Sequence, residues 1–359
     1  MTYNSPELEA YMVLGQELFR RIYADDSAEE IHTWLAMQMQ KLGGGDPDAR
    51  MMWEESFDLY EQIMQKRTEQ AALPESERRI LTWPWASWSN LLDPLDPGIL
   101  AVLSAADGGG KTLYAENLAE HWARCGMNVV FLHFELNRAL MLDRRMSRQS
   151  GILRRDLKAG TLTAQQSAEY ARANERLRDW PGSITYVHTP GWTMERAMGE
   201  VSALTAEDIC DVFIVDYLEK AAPSNRQLKT YGNNVFAREA DHVEVVKRTA
   251  EVIARPALLL AQLNKLGKQQ GFDTLDRTAI RGAGEKTEKA NIVILLHREN
   301  SESQIVRGRI DKNTMGRCGT FTQFMEGARF LVTDIQPDEP APRNEPQRTK
   351  RWQEKFDAE

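Results

Sequence analysis

Lys111 and Thr112 follow three consecutive glycines, Gly108 to Gly110, and residue types in that order suit the binding of phosphate. Without side chains, the glycines let backbone N–H groups approach phosphate oxygens closely. The lysine adds a mobile positive charge for the β- and γ-phosphates, and the threonine hydroxyl can ligate Mg²⁺. Ala106, Asp107 and Leu113 flank this core and complete the stretch expected to run along a bound nucleotide. Three further residues extend the constellation. Asp216 closes the apolar run Val212 to Val215 and is the expected partner of Thr112 at Mg²⁺. Glu135 ends Val129 to Phe134, where a carboxylate can polarise the water that attacks a γ-phosphate. An ordinary solvated acid at a strand end fits Glu135 equally well. Gln262 follows Leu258 to Ala261; it either hydrogen-bonds the γ-phosphate and orients that water, or simply closes a strand.

The elements that must position these groups are legible around them. Ile99 to Leu103 reads as a short buried strand, and Lys111 opens a helix with Leu113, Leu118 and Trp122 on one periodic face. A strand, a glycine-rich loop and a helix, with Gly-Lys-Thr at the junction, make the phosphate cradle of a P-loop NTPase. Ala105 stands where the first glycine of that motif usually falls, and no G-x-G-x-x-G can be laid over the loop. Beyond it, strands at Val129 to Phe134, Ile184 to Val187, Val212 to Val215, Ala257 to Ala261, Ile292 to Leu296 and Val306 to Ile310 are expected. They are interleaved with helices at Arg138 to Gln149, Ala164 to Arg178, Met194 to Leu204 and Glu239 to Ala254. Such alternation predicts an α/β fold, a mostly parallel sheet covered on both faces.

Residues 1–72 read as a small helical region with little core of its own, so its apolar faces are expected to meet another subunit or the main domain. A self-contained helical hairpin is the alternative. Leu14, Leu18 and Ile22 recur at helical spacing, Asp26-Ser27 reads as a cap, and Phe57, Tyr60 and Met64 line a later helix. The aromatic run Leu81 to Trp88 is expected to fix the linker to the ATPase domain, with stacking on a base as the lesser reading. Residues 73–335 form the expected catalytic domain, and 336–359, rich in Pro and charge, read as a disordered tail. The net charge of −8 argues against coating DNA by bulk charge but leaves room for a local basic channel. Three scattered cysteines make no zinc or disulfide pattern, and no apolar run reaches membrane length, so a cytoplasmic protein is expected.

Taken in order, these segments resemble the DnaB-type replicative DNA helicases, with their RecA-like ATPase core, from about Trp83 to Asp334. Phe134-Glu135-Leu136 is similar to that family's Ser-Leu-Glu-Met, whose Glu is the catalytic base. Lys158-Ala159-Gly160-Thr161-Leu162 matches its K/R-x-G-x-L segment, and Val215-Asp216-Tyr217-Leu218-Glu219 resembles its metal-binding strand, with Glu for Gln. Ala261-Gln262-Leu263-Asn264-Lys265 is similar to the sensor strand SQLNR, and Leu296-His297-Arg298-Glu299 resembles hhRxE. Many family members also lack the first P-loop glycine. The segment Ile280 to Asn291 resembles the loop that holds single-stranded DNA phosphates: Arg281 and Gly284 align, while Gly282 and Ala283 replace Glu and Ser.

The resemblance implies a ring-forming motor, hexameric in the family, that uses Mg²⁺ and ATP between subunits and moves on single-stranded DNA. A primase or a loader would be a further partner, and no membrane is involved. Implied DNA contacts are Arg281, Gly284 and Lys286, with Lys229 and Arg226 on an expected Asn/Gly-rich loop, Ser224 to Asn234, and Arg238 just beyond it. Gly15 to Leu42 resembles the helices joining the family's collar to its motor, and the globular collar is expected to be absent or much reduced, as in a phage or mobile-element version. In the family's last strands K-x-R-N-G reaches a neighbour's γ-phosphate. Lys312 fits the Lys, Thr314 stands at the Arg, and Arg317 is the nearest substitute. Two rivals remain: a RecA- or KaiC-like loader, clamp or regulator that does not unwind, and a scaffold whose ring ATP only stabilises.

Overall fold

The apolar runs of the chain become neighbours in one nine-stranded sheet, ordered β3-β2-β4-β5-β1-β6-β7-β8-β9. The structure is a computed structural model describing residues 27–42, 53–74, 78–135, 138–264, 267, 269–281 and 287–335, with 14, 15, 17, 18, 20 and 21. Strands β1 (Leu100–Ala105), β2 (Asn128–His133), β3 (Ser183–His188), β4 (Val212–Asp216), β5 (Ala257–Gln262) and β6 (Ile292–His297) run parallel. Strands β7 (Ile305–Asn313), β8 (Gly319–Glu326) and β9 (Leu331–Asp334) extend one edge antiparallel. The helices are α1 (Ala28–Leu42), α2 (Trp53–Ala72), α3 (Ala86–Ser89), α4 (Lys111–Arg124) and α5 (Arg138–Ser150), then α6 (Arg154–Ala159), α7 (Ala164–Arg178), α8 (Met194–Ala206), α9 (Asn225–Tyr231) and α10 (Val235–Val252).

Alternate residues of β1 enter different cores, as a period of two requires. Ala101, Leu103 and Ala105 pack with Leu113, Leu118 and Trp122 of α4. Leu100 and Val102 face Met194 and Val201 of α8 and Val243 and Val246 of α10. Both faces being covered explains why β1 is apolar without interruption. The parallel strands also deliver their C-terminal ends to one edge of the sheet, where ligands bind in such folds.

The tryptophans of the Leu81-to-Trp88 run pack rather than stack on a ligand. Trp83, Trp85 and Trp88 are buried, and Trp88 stacks on Tyr114 of α4 with ring centroids 5.9 Å apart. Their ring nitrogens also reach into the domain: Trp85 Nε1 donates to the Val332 carbonyl at 3.0 Å and Trp83 Nε1 to the Asp93 carbonyl at 2.8 Å.

Two expectations need correction. Ser224 to Asn234, expected as a loop, contains the helix α9. Ser224 caps it by accepting from Gln227 N, while Gln227 Oε1 accepts from Ser224 N. A Ser-x-x-Gln capping box outweighs the loop-like composition. Strands β8 and β9 were not expected: Gly319, Gly327 and scattered polar residues interrupt the pattern, and pairing to β7 supplies the order. Ser27 caps α1 through a similar box with Glu30, at 2.9 and 3.2 Å, whereas Asp26 lies outside the described residues. Helix α1 lies against α8, and α2 leaves Phe57, Tyr60, Ile63 and Met64 exposed. The tail 336–359 is outside the described residues. Among those described, no helix is long and apolar enough to cross a membrane.

Trp88 is completely buried at the centre of this aromatic group. Trp88→Ala should cost ~3–5 kcal/mol of stability, the range for emptying an aromatic site in a core. Chemical denaturation should show a lower midpoint with an unchanged slope.

Candidate active site

The phosphate cradle is shaped by what cannot be added to it. A Cβ on Gly109 would stand 2.8 Å from Ala105 Cβ and 2.9 Å from the Ala106 carbonyl oxygen. Gly110 caps α4 at φ +98, a left-handed conformation, and a Cβ there would meet Met325 Sδ at 2.8 Å. Such a loop needs glycine, and it leads into the N-terminal end of a 14-residue helix, which favours an anion. Lys111 is buried and its Nζ donates to the carbonyls of Ala105 and Ala106, at 2.9 and 3.2 Å. Asp107 and Gly108 are exposed at the loop tip and Ala106 is half-buried, while Leu113 turns its side chain into the core. Only the Leu113 backbone can face a ligand.

Thr112 Oγ1 donates to Asp216 Oδ2 at 2.9 Å, so two residues 104 positions apart meet as the motif predicts. Asp216 Oδ1 is buried with no hydrogen-bond partner. Burial pushes the Asp216 carboxyl up to about 7, the Thr112 bond opposing and the Glu116 charge adding to the rise. A divalent cation would satisfy the orphaned oxygen and favour the ionised form. These residues therefore fit Mg²⁺, with Thr112 and Asp216 as its holders.

Glu135 stands just beyond β2 with its side chain half exposed. The turn after β4 lies against it: Lys220 Nζ is 3.6 Å from the carboxylate, and the Tyr217 hydroxyl feels its charge. Burial first, then the Glu135 charge, raises the Tyr217 hydroxyl above the usual phenol range. Glu219 of the same turn accepts from the Gln262 backbone N–H at 3.2 Å, anchoring the end of β5. The Gln262 carbonyl in turn accepts from Arg281 N at 2.9 Å. Three residues that sequence reasoning gave no role thus shape the site: Tyr217, Glu219 and Lys220. Their position directly after Asp216 was the available signal. Arg298 is a fourth: its Nη1 donates to the Gly108 carbonyl at 2.7 Å, bracing the cradle from the end of β6. Beside Gly108 and Gly109, a cleft of about 520 Å³ opens toward Phe272, Arg298 and Arg307.

The other expected site residues lie apart from the cradle within one chain. Arg281 pairs with Glu239 at 3.1 Å, and Lys229 is exposed on α9. Arg226 is engaged by Glu195 and Asp241. Gly284 and Lys286 lie outside the described residues. Lys312 donates to the carbonyls of Thr287 and Glu288, at 2.8 and 2.9 Å, and Arg317 is exposed in the turn between β7 and β8.

A parallel sheet with a P-loop after β1 and an acid closing β4 defines a nucleotide-binding ATPase fold of RecA type. Residues 86–329 match the family model of the DnaB-like helicase C-terminal domain, and the chain belongs to that family. It is 26% identical over 216 residues to the replicative DNA helicase DnaB of Leifsonia xyli, covering 59% of this chain and 45% of that protein. To a probable plasmid replicative DNA helicase of Chlamydia trachomatis it is 23% identical over 211 residues, 58% of this chain and 45% of that one. The chain spans about half the length of the curated relatives it matches. Among solved structures, a DnaB-like replicative helicase described with its interactions with primase superposes with TM-score 0.71 at 14% identity, over 92% of this chain and 76% of that one. A second solved structure, described as an ATPase domain, gives TM-score 0.66 at 15% identity, over 78% of this chain and 98% of that one.

Because the folded pKa of Asp216 is raised, its buried charge opposes folding increasingly as pH climbs from about 4 toward 7. Asp216→Asn should therefore raise the melting temperature of the metal-free protein by a few degrees at pH 8 and hardly at pH 4. The same variant should lose Mg²⁺-dependent nucleotide binding, measured by titration with a fluorescent nucleotide.

Proposed function

We propose that this chain is an ATP-driven, ring-forming DNA motor that translocates on single-stranded DNA during replication. The observation that carries the reading is the Thr112–Asp216 pair beside the glycine cradle, with Asp216 Oδ1 still unpartnered, in a chain of this family. Backbone N–H groups of Gly108 to Thr112 bind the phosphates, with Ala106, Asp107 and Leu113 flanking them. Lys111 exchanges its carbonyl partners for phosphate oxygens. Thr112 and Asp216 would hold Mg²⁺, which would supply charge neutralisation to the bound phosphates. Glu135 accepts a proton from the attacking water, with Lys220 beside its carboxylate. Gln262 orients that water or the γ-phosphate.

Catalysis is completed in trans in this reading. Lys312 and Arg317 of a neighbouring subunit stabilise the charge that develops on the transferred phosphoryl oxygens. Helices ahead of residue 73 serve ring assembly, since Leu59, Tyr60, Ile63 and Met64 of α2 are exposed in one chain. Residues 73–335 are the motor, which works in the cytoplasm as a homo-oligomer, a hexamer by analogy, with a primase or loader as a further partner. Arg281, Gly284, Lys286 and Lys229 hold the backbone of one DNA strand. Glu239 engages part of the Arg281 guanidinium, which has five N–H donors and so retains some for phosphate.

Glu135→Gln should keep nucleotide affinity and slow steady-state hydrolysis by ~10²-fold. The wild-type protein with ATP should displace a strand from a forked duplex, and the Glu135→Gln protein should not. DNA-stimulated hydrolysis without displacement would instead favour a loader or clamp.

Arg317→Ala alone and Lys111→Ala alone should each be nearly inactive. Mixing the two should restore part of the hydrolysis, because some interfaces then pair an intact cradle with an intact Arg317. Wild-type turnover by Arg317→Ala would remove Arg317 from the mechanism.

A further inference from the structure

Glu116 and Glu120 lie one turn apart on α4, the helix that begins with Lys111-Thr112, and both are buried, 1% and 2% exposed. Two carboxylates in that position are costly to ionise unless cations meet them. The cations come from α5. Arg148, with only 3% of its side chain exposed, grips Glu120 with two bonds, Nη2 to Oε1 at 2.6 Å and Nε to Oε2 at 2.9 Å. Its Nη1 reaches Glu116 Oε2 at 3.1 Å and the Phe330 carbonyl at 2.9 Å. Arg144 adds a bond to Glu116 Oε1 at 3.2 Å, and Gln149 one to Glu120 at 2.6 Å. The Phe330 carbonyl also accepts from Asn117 of α4 at 3.0 Å, in a left-handed turn at φ +56.

Buried ionic networks of this kind contribute little net stability, since apolar side chains of similar volume often do as well. What they supply is direction. A guanidinium presents its donors in a rigid planar fork, so Arg148 fixes α5 against α4 in both distance and rotation. Helix α4 carries the phosphate cradle at its start, and α5 starts three residues beyond Glu135. Lys220, whose Nζ lies 3.6 Å from Glu135, belongs to the turn after β4 rather than to this pair of helices.

We infer that Arg148, clamped by Glu116 and Glu120, is a positioning residue that sets the place of Glu135 relative to the phosphate cradle. This rests on Glu135 acting as the general base. A misplacement of the base on the ångström scale costs rate and not nucleotide binding.

The test uses the whole chain and four proteins: wild type, Arg148→Lys, Glu135→Gln and the double variant, with Glu120→Gln as a second way to open the clamp. Arg148→Lys keeps the charge and loses the fork. It should lower kcat by ~10-fold with the Kd for a fluorescent ATP analogue within about twofold of wild type. In the Glu135→Gln background the same substitution should cost nothing more, because a base that is gone cannot be misplaced. An equal proportional loss in both backgrounds overturns the inference, as does wild-type turnover by a folded Arg148→Lys or Glu120→Gln protein. Loss of the melting transition in both clamp variants would make the network a stability element and overturn it too. Wild-type activity in Glu135→Gln itself is distinguishable from these outcomes, and would remove the base on which the inference rests.

Discussion

A carboxyl group has been taken out of water at the end of β4, and much of the site is arranged around that fact. Asp216 is almost wholly buried, one oxygen accepts from Thr112, and the other has no partner. Burial, the largest of several causes, drives its carboxyl toward neutrality, to about 7. A cation reverses that preference, so the site is one in which folding and metal binding pull on the same proton in opposite directions. The desolvated acid lowers stability locally and raises affinity for what it is meant to hold, a common bargain at functional sites.

The parallel sheet is what makes the arrangement possible. Strands β1, β2, β4 and β5 all point the same way, so the residues that follow or close them arrive at one edge: the cradle, Glu135, Asp216 and Gln262. Each comes from a different segment of the chain. The five residues from Asp216 to Lys220 then tie the edge together. Asp216 meets Thr112, Lys220 meets Glu135, and Glu219 meets the Gln262 backbone. From Gln262 one further backbone bond reaches Arg281.

Much of the fold was legible because two periodicities were strong. Apolar runs of four to six residues between helical segments meant buried parallel strands, and the six parallel strands fall where the runs are. The cradle was legible as well, since a Gly-Gly-Gly-Lys-Thr order after a strand has few other uses. Composition misled at Ser224 to Asn234, where one capping box organises a helix in residues that look like a loop. It was silent at β8 and β9, whose polar and glycine-containing residues become strands only because β7 offers them an edge.

The sequence by itself determined which residue types stand at which strand ends, and hence the class of chemistry. Those choices are local: a glycine for a left-handed turn, an acid after an apolar run, a lysine and threonine at a helix start. What only the tertiary structure decided is who else meets whom. Lys220 finds Glu135, Arg298 braces Gly108, and Arg148 grips Glu120, all across gaps in sequence that no spacing rule spans. The physical reason is that a hydrogen bond or ion pair is set by distance in space. Distance in space is set by how whole elements pack, and packing depends on every apolar side chain at once.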